Sequence, residues 1–257
     1  MNRFMIVVNP DKDTDSTVTN RIQSYLEAHG AACMVRDVFH LESSDWEALK
    51  KEQFDCVLVL GGDGTLLRMA GETEDIDIPL FGINLGTVGF LTEGEVANIE
   101  EILDRLLTDD FTIEERMMVT GTVTKADGTT YRKSALNDIV ISRAGFSRLI
   151  GLNVSVDGQV LDTYEADGVV ISTPTGSTGY NLSAGGPIVS PDAELLVITP
   201  VSPHSLTAKS IVLSGKEEIT IEITKKRKTQ DTEAICSFDG GNDVKLSVGD
   251  RVDIRKA

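Results

Sequence analysis

The chain has 257 residues, of which 40% are hydrophobic and 25% are charged, and its formal net charge is −17. This length can bury a full core in one or two domains. Because the chain is strongly acidic, nucleic acid and anionic membrane surfaces are excluded as its main partners. A polyanionic ligand would need a local cluster of backbone N–H groups, basic side chains or a divalent cation.

The number of cysteines and the length of the apolar runs indicate the cellular compartment. The three cysteines (Cys33, Cys56 and Cys236) are widely separated and odd in number, so neither a disulfide framework nor a metal-ligand set is predicted. The apolar run at 4–8 is too short for a signal peptide or a membrane span, and no later run approaches one. The sequence therefore predicts a cytoplasmic protein.

The first part of the chain alternates strand and helix patterns. Short apolar runs predict strands at 4–8, 32–38 and 56–60, and helical spacing of apolar residues predicts helices at 16–29, 44–51, 65–70 and 99–107. This alternation is typical of a parallel sheet covered by helices. We predict an α/β domain over residues 1–112.

The pattern changes after Thr112 to short strands separated by turn signals. Asp127-Gly128 and Asp157-Gly158 are hairpin signals. Strands are predicted at 116–124, 129–142, 149–156, 159–163, 168–173, 194–199, 208–213, 217–224, 233–238 and 250–255, with a helical, glycine-rich interruption after 173. Many short strands with few helices predict a β-sandwich-like domain over 113–257. The last residues are candidates to pack back on the first domain.

A glycine-rich turn follows the third predicted strand. Gly61-Gly62-Asp63-Gly64-Thr65 can turn sharply and leave N–H groups uncovered for a phosphate, which the following helix N-terminus also favours. Asp63 suits proton or metal handling beside a phosphate better than phosphate binding itself. The segment matches neither the P-loop nor the Rossmann fingerprint. A plain strand-to-helix turn, in which Asp63 makes an Asx-type bond, is the structural alternative.

Two further segments carry polar groups in unusual density. The segment 173–187 crowds hydroxyls around Gly176 and Gly179, which suits a phosphate or a ribose edge. A polar surface loop is the alternative, although long loops of this kind are more often functional. Asn137-Asp138 precedes an apolar strand and can bind a ribose diol or an adenine edge. Taken alone, an Asn-Asp pair is more typical of a turn than of a binding site.

Taken together, these motifs resemble the NAD kinase family. The matching segments occur in the family's order and cover most of the chain: Gly61-Gly62-Asp63-Gly64-Thr65, the glycine-rich run 82–91, Glu115-Arg116-Met117-Met118, Asn137-Asp138, and 173–187. The glycine–aspartate turn alone also occurs in phosphofructokinases and in diacylglycerol and sphingosine kinases. The threonine–glycine segment is specific to the family.

The resemblance implies an α/β domain followed by a β-sandwich domain that binds NAD. It implies transfer of the γ-phosphoryl group of ATP, or of another phosphate donor, to the 2′-hydroxyl of the adenosine ribose of NAD. By analogy Asp63 is the general base. The residues implied to bind NAD are Asp63, Gly64, Arg68, Asn137, Asp138, Arg148, Asp167, Thr178, Gly179, Tyr180, Asn181, Leu182 and Ser183.

The family also implies cofactors and partners. Mg²⁺ or another divalent metal is expected with ATP, bound mainly by phosphate oxygens, so no protein metal-ligand set is expected. NAD and ATP are the expected partners, nucleic acid and membranes are not, and the expected assembly is a homo-oligomer, a dimer or a tetramer.

Two positions depart from the family pattern. Asp138 stands where Glu is usual and is one methylene shorter, and Gly179 stands where Ala is usual. Two other functions remain open on the motifs: a lipid or sugar kinase with the same glycine–aspartate turn, and a dinucleotide-binding sensor without catalysis. The first leaves the segment 173–187 unexplained, and the presence of Asp63 argues against the second.

Overall fold

The computed structural model describes residues 1–51, 54–86, 89–145, 149–225 and 233–257. The chain divides into two compact units, Met1–Glu114 and Glu115–Ala257. Within the described ranges, no helix has the length and hydrophobicity that a membrane crossing requires.

The first unit alternates strands and helices, which confirms the predicted α/β class. Its five strands form one parallel sheet in the order β2-β1-β3-β4-β5. Every helix and strand predicted in this unit is present, with ends that differ by at most two residues. The strands are β1 (Arg3–Val8), β2 (Ala32–Asp37), β3 (Cys56–Gly61), β4 (Leu80–Asn84) and β5 (Gly94–Glu95), and the helices are α1 (Thr17–Ala28), α2 (Ser43–Lys51), α3 (Asp63–Glu72) and α4 (Ile99–Leu107).

Alternate side chains of the central strands serve two cores, one on each face of this sheet. Phe4 and Ile6 of β1 pack with residues of α1 and α4. Met5 and Val7, which point the other way, pack with residues of α2 and α3. Since both faces are covered, β1 and β3 are continuously apolar, as parallel strands usually are.

The direction of strand addition reverses between β1 and β3. The N–H of Asn9, just after β1, donates to the carbonyl of Leu60 in β3 (2.9 Å). In open α/β sheets, ligands bind outside the carboxyl ends of the strands at such a point. The turn that contains Asp63 follows β3 at this edge.

The second unit consists of two six-stranded antiparallel sheets, which confirms the predicted sandwich class. The sheets have the orders β10-β9-β14-β17-β6-β7 and β13-β12-β11-β8-β15-β16, and their inward residues share one core. The strands are β6 (Val119–Thr124), β7 (Thr130–Ala135), β8 (Asp138–Arg143), β9 (Ile150–Val156), β10 (Gln159–Ala166), β11 (Gly168–Ser172), β12 (Leu195–Val201), β13 (Ile211–Ser214), β14 (Ile219–Thr224), β15 (Glu233–Phe238), β16 (Gly241–Ser247) and β17 (Arg251–Lys256).

The prediction of one strand over 129–142 is wrong. The structure has β7 and β8, which belong to different sheets, and the chain changes sheet at Leu136 and Asn137. The N–H groups of this corner donate to the side chain of Asp239 instead of to a strand partner. No strand was predicted at β4, β5 or β16 either: β4 lies in the glycine-rich run 82–91 and just before it, β5 has two residues, and β16 is mostly polar.

The shared core predicts a stability effect. Ile221 is fully buried in β14, between β9 and β17. We expect Ile221→Ala to lower the free energy of unfolding by about 2–5 kcal/mol, because the lost side chain leaves a cavity. The control is Val160→Ala, since Val160 in β10 is 66% exposed. Urea unfolding measures both variants, and an equal effect of the two substitutions would contradict the assigned core.

Candidate active site

Asp63 is the first residue of α3, whereas the sequence placed the start of this helix at Thr65. The preceding residue, Gly62, is extended and has no side chain to cap the helix. The N–H groups of Asp63 and Gly64 donate to no residue in the described ranges. Unpaired N–H groups at a helix N-terminus are suited to bind an anion.

The Asp63 carboxylate binds the loop that precedes β5. Its Oδ2 accepts the N–H of Phe90 (2.8 Å), and its Oδ1 accepts the N–H groups of Leu91 (3.1 Å) and Thr92 (3.2 Å) and the Thr92 hydroxyl (3.3 Å). The Asp63 side chain therefore bonds a distant loop and does not make the local Asx-type hydrogen bond of a plain turn. Because Oδ2 accepts one hydrogen bond from the described residues, it has a further lone pair that can accept a proton.

Glycines create the room for this carboxylate. A Cβ atom at Gly89 would overlap the carboxyl group of Asp63. A Cβ atom at Gly82 would lie 2.9 Å from Cγ2 of Thr92, which is also too close. The run 82–91 therefore contains glycine where Asp63 and Thr92 pack against the backbone.

Gly64 and Arg68 lie on the same helix as Asp63 and are exposed. A Cβ atom at Gly64 would meet nothing within 4 Å, so the space beside this turn is open. The guanidinium carbon of Arg68 lies 5.6 Å from the centre of the Phe39 ring. This cation–π contact holds a positive charge near the carboxyl end of the sheet.

Asn137 and Asp138 lie at the corner between β7 and β8, against the threonine–glycine segment. The carbonyl of Asn137 accepts the N–H of Thr173 (2.9 Å), and a Cβ atom at Gly176 would overlap that carbonyl. The hydroxyl of Thr173 donates to the carbonyl of Leu136 (2.5 Å). The fold thus brings together two motifs that are far apart in sequence.

Several polar atoms at this corner have no hydrogen-bond partner among the residues that the structure describes. Oδ1 of Asn137 and Oγ1 of Thr175 are buried without a hydrogen bond. The carboxyl group of Asp138, a residue that is 5% exposed, accepts no hydrogen bond from the residues that the structure describes. Buried polar atoms without partners are rare, so these atoms are candidates for hydrogen bonds to a ligand.

Two neighbouring carboxyl groups set the charge of this corner. Burial and, to a smaller extent, the nearby Asp239 carboxylate together raise the pKa of Asp138 to about 7. Burial also raises the pKa of Asp239, while three backbone N–H groups oppose that rise. Because Asp239 accepts these N–H groups and Asp138 accepts none from the described residues, Asp239 is the carboxyl group whose negative charge is better stabilised.

The segment after Thr173 forms a 3₁₀ turn (Thr175–Thr178) and a short helix, α5 (Tyr180–Ser183). Tyr180 and Leu182 are 44% and 43% exposed, and Ser183 is exposed too. Thr178 is half-buried, and its hydroxyl donates weakly to the carbonyl of Thr175 (3.4 Å). These side chains are accessible to a ligand.

Gly179 borders the Asn137–Asp138 corner. A Cβ atom here would lie 3.6 Å from Nδ2 of Asn137 and 3.9 Å from Oδ2 of Asp138, which are ordinary contacts, and 3.2 Å from the carbonyl oxygen of Gly176, which is tight. An alanine would therefore require a small shift of the 3₁₀ turn and would narrow the space beside both side chains. The glycine and the shorter Asp138 both leave this corner roomier than the usual residues of the family would.

Asn181 differs from its neighbours because its side chain is fully buried. Its Nδ2 donates to the carbonyls of Ser177 (3.0 Å) and Pro187 (2.9 Å), and its Oδ1 accepts the hydroxyl of Thr199 (2.7 Å). The Asn181 amide is therefore hydrogen-bonded to other groups of the protein and not exposed to a ligand. Asn181 is thus placed to hold the segment 177–187 in shape.

Asp167 lies at the other end of the β8–β11 pair. Asp138 is opposite Ser172 in that pair, whereas Asp167 bonds Arg143 through both its backbone carbonyl and its carboxylate (2.6 Å to Nε). Arg143 is five residue steps along β8 from Asp138, a distance of about 16 Å. The fold does not bring Asp167 to the Asn137–Asp138 corner. Arg148 lies outside the described residues.

Sequence reasoning missed Gly89, Thr92 and Asp239 as individual residues. The Asp-Gly pair at 239–240, between two apolar runs, could have been recognised as a hairpin signal. Nothing in the sequence around Thr92 indicates its bond to Asp63. In the described parts of the chain, no group of three or more His, Cys, Asp or Glu side chains is arranged to hold a metal ion.

Comparison with known proteins places both units in one family. The model of the ATP-NAD kinase N-terminal domain matches residues 4–111, and that of the ATP-NAD kinase C-terminal domain matches residues 136–257. The NAD kinase of Lachnoclostridium phytofermentans is 45% identical over 261 residues, covering 100% of this chain and 91% of the relative. The NAD kinase of Agathobacter rectalis is 44% identical, with coverages of 100% and 91%.

Two solved structures of kinases acting on NAD or NADH have a fold similar to that of this chain. Yeast NADH kinase complexed with NADH has a TM-score of 0.87 and 25% identity, covering 100% of this chain and 78% of the yeast chain. The NAD kinase from Archaeoglobus fulgidus in complex with ATP has a TM-score of 0.79 and 29% identity, with coverages of 99% and 90%. The chain therefore belongs to the NAD kinase family of enzymes.

Proposed function

We propose that this enzyme transfers the γ-phosphoryl group of ATP to the 2′-hydroxyl of the adenosine ribose of NAD and so makes NADP. The observation that carries the proposal is the Asp63 carboxylate. Backbone N–H groups fix it on a turn with open N–H donors, and one lone pair of Oδ2 remains free. Similar proteins solved with ATP and with NADH support this choice of substrates.

In the proposed reaction Asp63 is the general base. The 2′-oxygen of NAD attacks the γ-phosphorus of ATP, its proton passes to Oδ2 of Asp63, and the bond from the γ-phosphorus to the β–γ bridging oxygen breaks. ADP leaves with the electron pair of that bond. A carboxylate in this role contributes roughly 10²–10⁴-fold to the rate, because a neutral sugar hydroxyl is a weak nucleophile.

Charge neutralisation around the phosphates supplies much of the remaining rate. The free N–H groups of Asp63 and Gly64 are the proposed phosphate donors, and Arg68 and Arg148 are proposed to lie near phosphates. When bound, Mg²⁺ would neutralise phosphate charge. The proposed proton transfer uses the remaining lone pair of Oδ2, so we assign Asp63 no role as a metal ligand, and the ion would be held mainly by phosphate oxygens.

The second unit is proposed to bind the dinucleotide. Asn137 and Asp138 would hold its adenosine part through their unpaired polar atoms. Asp167 and the accessible residues of the segment Thr178 to Ser183 would contact riboses and bases, with Tyr180 as a stacking surface. We propose that Asn181 acts indirectly, by holding that segment in shape. A cytoplasmic location and a homo-oligomeric state, a dimer or a tetramer, stay predictions.

One assay tests the proposed function. Purified protein is incubated with NAD, Mg²⁺ and a panel of phosphate donors, and NADP is measured with a coupled dehydrogenase. Formation of NADP is expected with ATP. Phosphorylation of a lipid or a sugar but not of NAD would point to the other kinase classes, and NAD binding without consumption of any donor would point to a sensor.

Asp63→Asn tests the general base. We expect turnover to fall by at least about 100-fold, because an amide cannot accept the hydroxyl proton. The fold and NAD binding should persist, since Oδ1 can still accept the Leu91 and Thr92 N–H groups. Asp75→Asn, at an exposed position after α3, is the matched control and should keep normal turnover. Near-normal turnover of the Asp63 variant would refute the assignment.

Gly89→Ala tests the position of that base. The new Cβ atom would overlap the Asp63 carboxylate, which must then move away from the Phe90 N–H group. Since misplacement of a reacting group by about 1 Å can cost 10²-fold in rate, we expect a loss of about that size. Gly86→Ala is the control, because the nearest atom to its Cβ would be 3.9 Å away. If both variants turn over equally fast, the contact at Gly89 does not position the base.

A further inference from the structure

Asp239 lies in the turn between β15 and β16, with a left-handed backbone (φ 50°). Its carboxylate accepts the N–H groups of three consecutive residues: Leu136 (2.8 Å), Asn137 (2.7 Å) and Asp138 (3.1 Å). Its own N–H donates to the carbonyl of Asp138 (3.0 Å). One side chain therefore fixes the backbone of the corner between the two sheets.

We propose that Asp239 is a positioning residue for NAD: it holds the Leu136–Asp138 corner in the conformation that presents the Asn137 and Asp138 side chains to the dinucleotide. This inference rests on the proposed function. Asp239 itself has its oxygens engaged by the backbone, so it acts through the corner and not by contact with the substrate.

The carboxylate at position 239 has an electrostatic effect as well as a structural one. Its two oxygens accept the three N–H groups, whereas an asparagine would offer one acceptor oxygen and would place its amide NH2 donor against backbone N–H donors. The carboxylate also sets a negative charge near the buried Asp138, and this charge raises the pKa of Asp138.

Few other charges act on Asp138. β11 faces it with Ser172, and the adjoining 3₁₀ turn contributes Thr175 and other residues without ionisable side chains. Among the residues that the structure describes, Asp239 is the charged group that acts on the Asp138 carboxyl group. The protonation of Asp138 is therefore tied to Asp239.

A pH dependence of NAD binding follows. An ionised Asp138 accepts hydrogen bonds from ribose hydroxyls at both oxygens and more strongly than the protonated acid does. Its pKa in the ligand-free protein is raised to about 7 by burial and by Asp239. Affinity for NAD should then fall as the pH falls below about 7, and NAD binding near neutral pH should release protons.

Asp239→Asn tests this role, with Asp243→Asn as the matched control at an exposed position of β16. At about pH 8 the Asp239 variant should show a KM for NAD about tenfold higher, with kcat changed by less than about threefold, because the base is untouched. The wild-type KM should rise about tenfold from about pH 8 to about pH 6, with a midpoint near the pKa of about 7.

In the Asp239 variant that midpoint should move to lower pH, since removal of the neighbouring charge lowers the pKa of Asp138. The control should match the wild type in KM and in midpoint. An unchanged KM for NAD with an unchanged midpoint in folded Asp239→Asn would overturn the inference, as would a loss confined to kcat.

Wild-type protein provides a measurement that does not depend on the variant folding. Calorimetry of NAD binding at about pH 7, in buffers with different ionisation enthalpies, should detect proton release. Binding without proton release would overturn the inference and leave the proposed function standing. Absence of both NAD binding and NADP formation in the wild type would instead refute the proposed function, and the inference with it.

Discussion

In each of the two units, hydrogen bonds from consecutive backbone N–H groups to a carboxylate fix the backbone beside the candidate functional residues. Asp63 receives the N–H groups of Phe90, Leu91 and Thr92, and Asp239 receives those of residues 136–138. Such bonds are stronger than neutral ones and are directional, so each aspartate fixes a loop that would otherwise lack secondary structure. In the first unit the carboxylate that fixes the loop is also the proposed base. In the second unit the carboxylate of Asp239 fixes the backbone, and the neighbouring carboxyl group of Asp138 is the one proposed to bind NAD.

The distribution of charge is consistent with a polyanionic substrate in spite of the net charge of −17. Phosphate binding needs local donors, and the turn at 61–64 offers backbone N–H groups that the net charge of the chain does not cancel. The glycines contribute because they have no side chain. Side-chain atoms at Gly89 or Gly176 would occupy space that the Asp63 carboxylate and the Asn137 carbonyl already fill.

The sequence predicted the α/β and β-sandwich classes because the apolar periodicity of each part is strong, as at β3 and along the predicted hairpins. It failed where tertiary contacts decide the structure. The run 129–142 has strand propensity throughout, yet the chain breaks at Leu136–Asn137 because Asp239, a hundred residues later, binds the backbone there. Glycine-rich motifs indicated where phosphates and riboses would bind. The bond between Asp63 and Thr92 depends on the loop path, which no local pattern encodes.

The burial of Asp138 has a thermodynamic consequence for the ligand-free enzyme. Its folded-state pKa, raised to about 7, lies above its value in the unfolded chain. The stability that this group contributes is therefore fully present in acid and is lost as the pH rises through about 7. At neutral pH the empty protein carries an ionisable group whose charge is poorly solvated. A ribose hydroxyl that donates to Asp138 would supply the missing solvation, so occupancy of the site and resistance to unfolding would increase together.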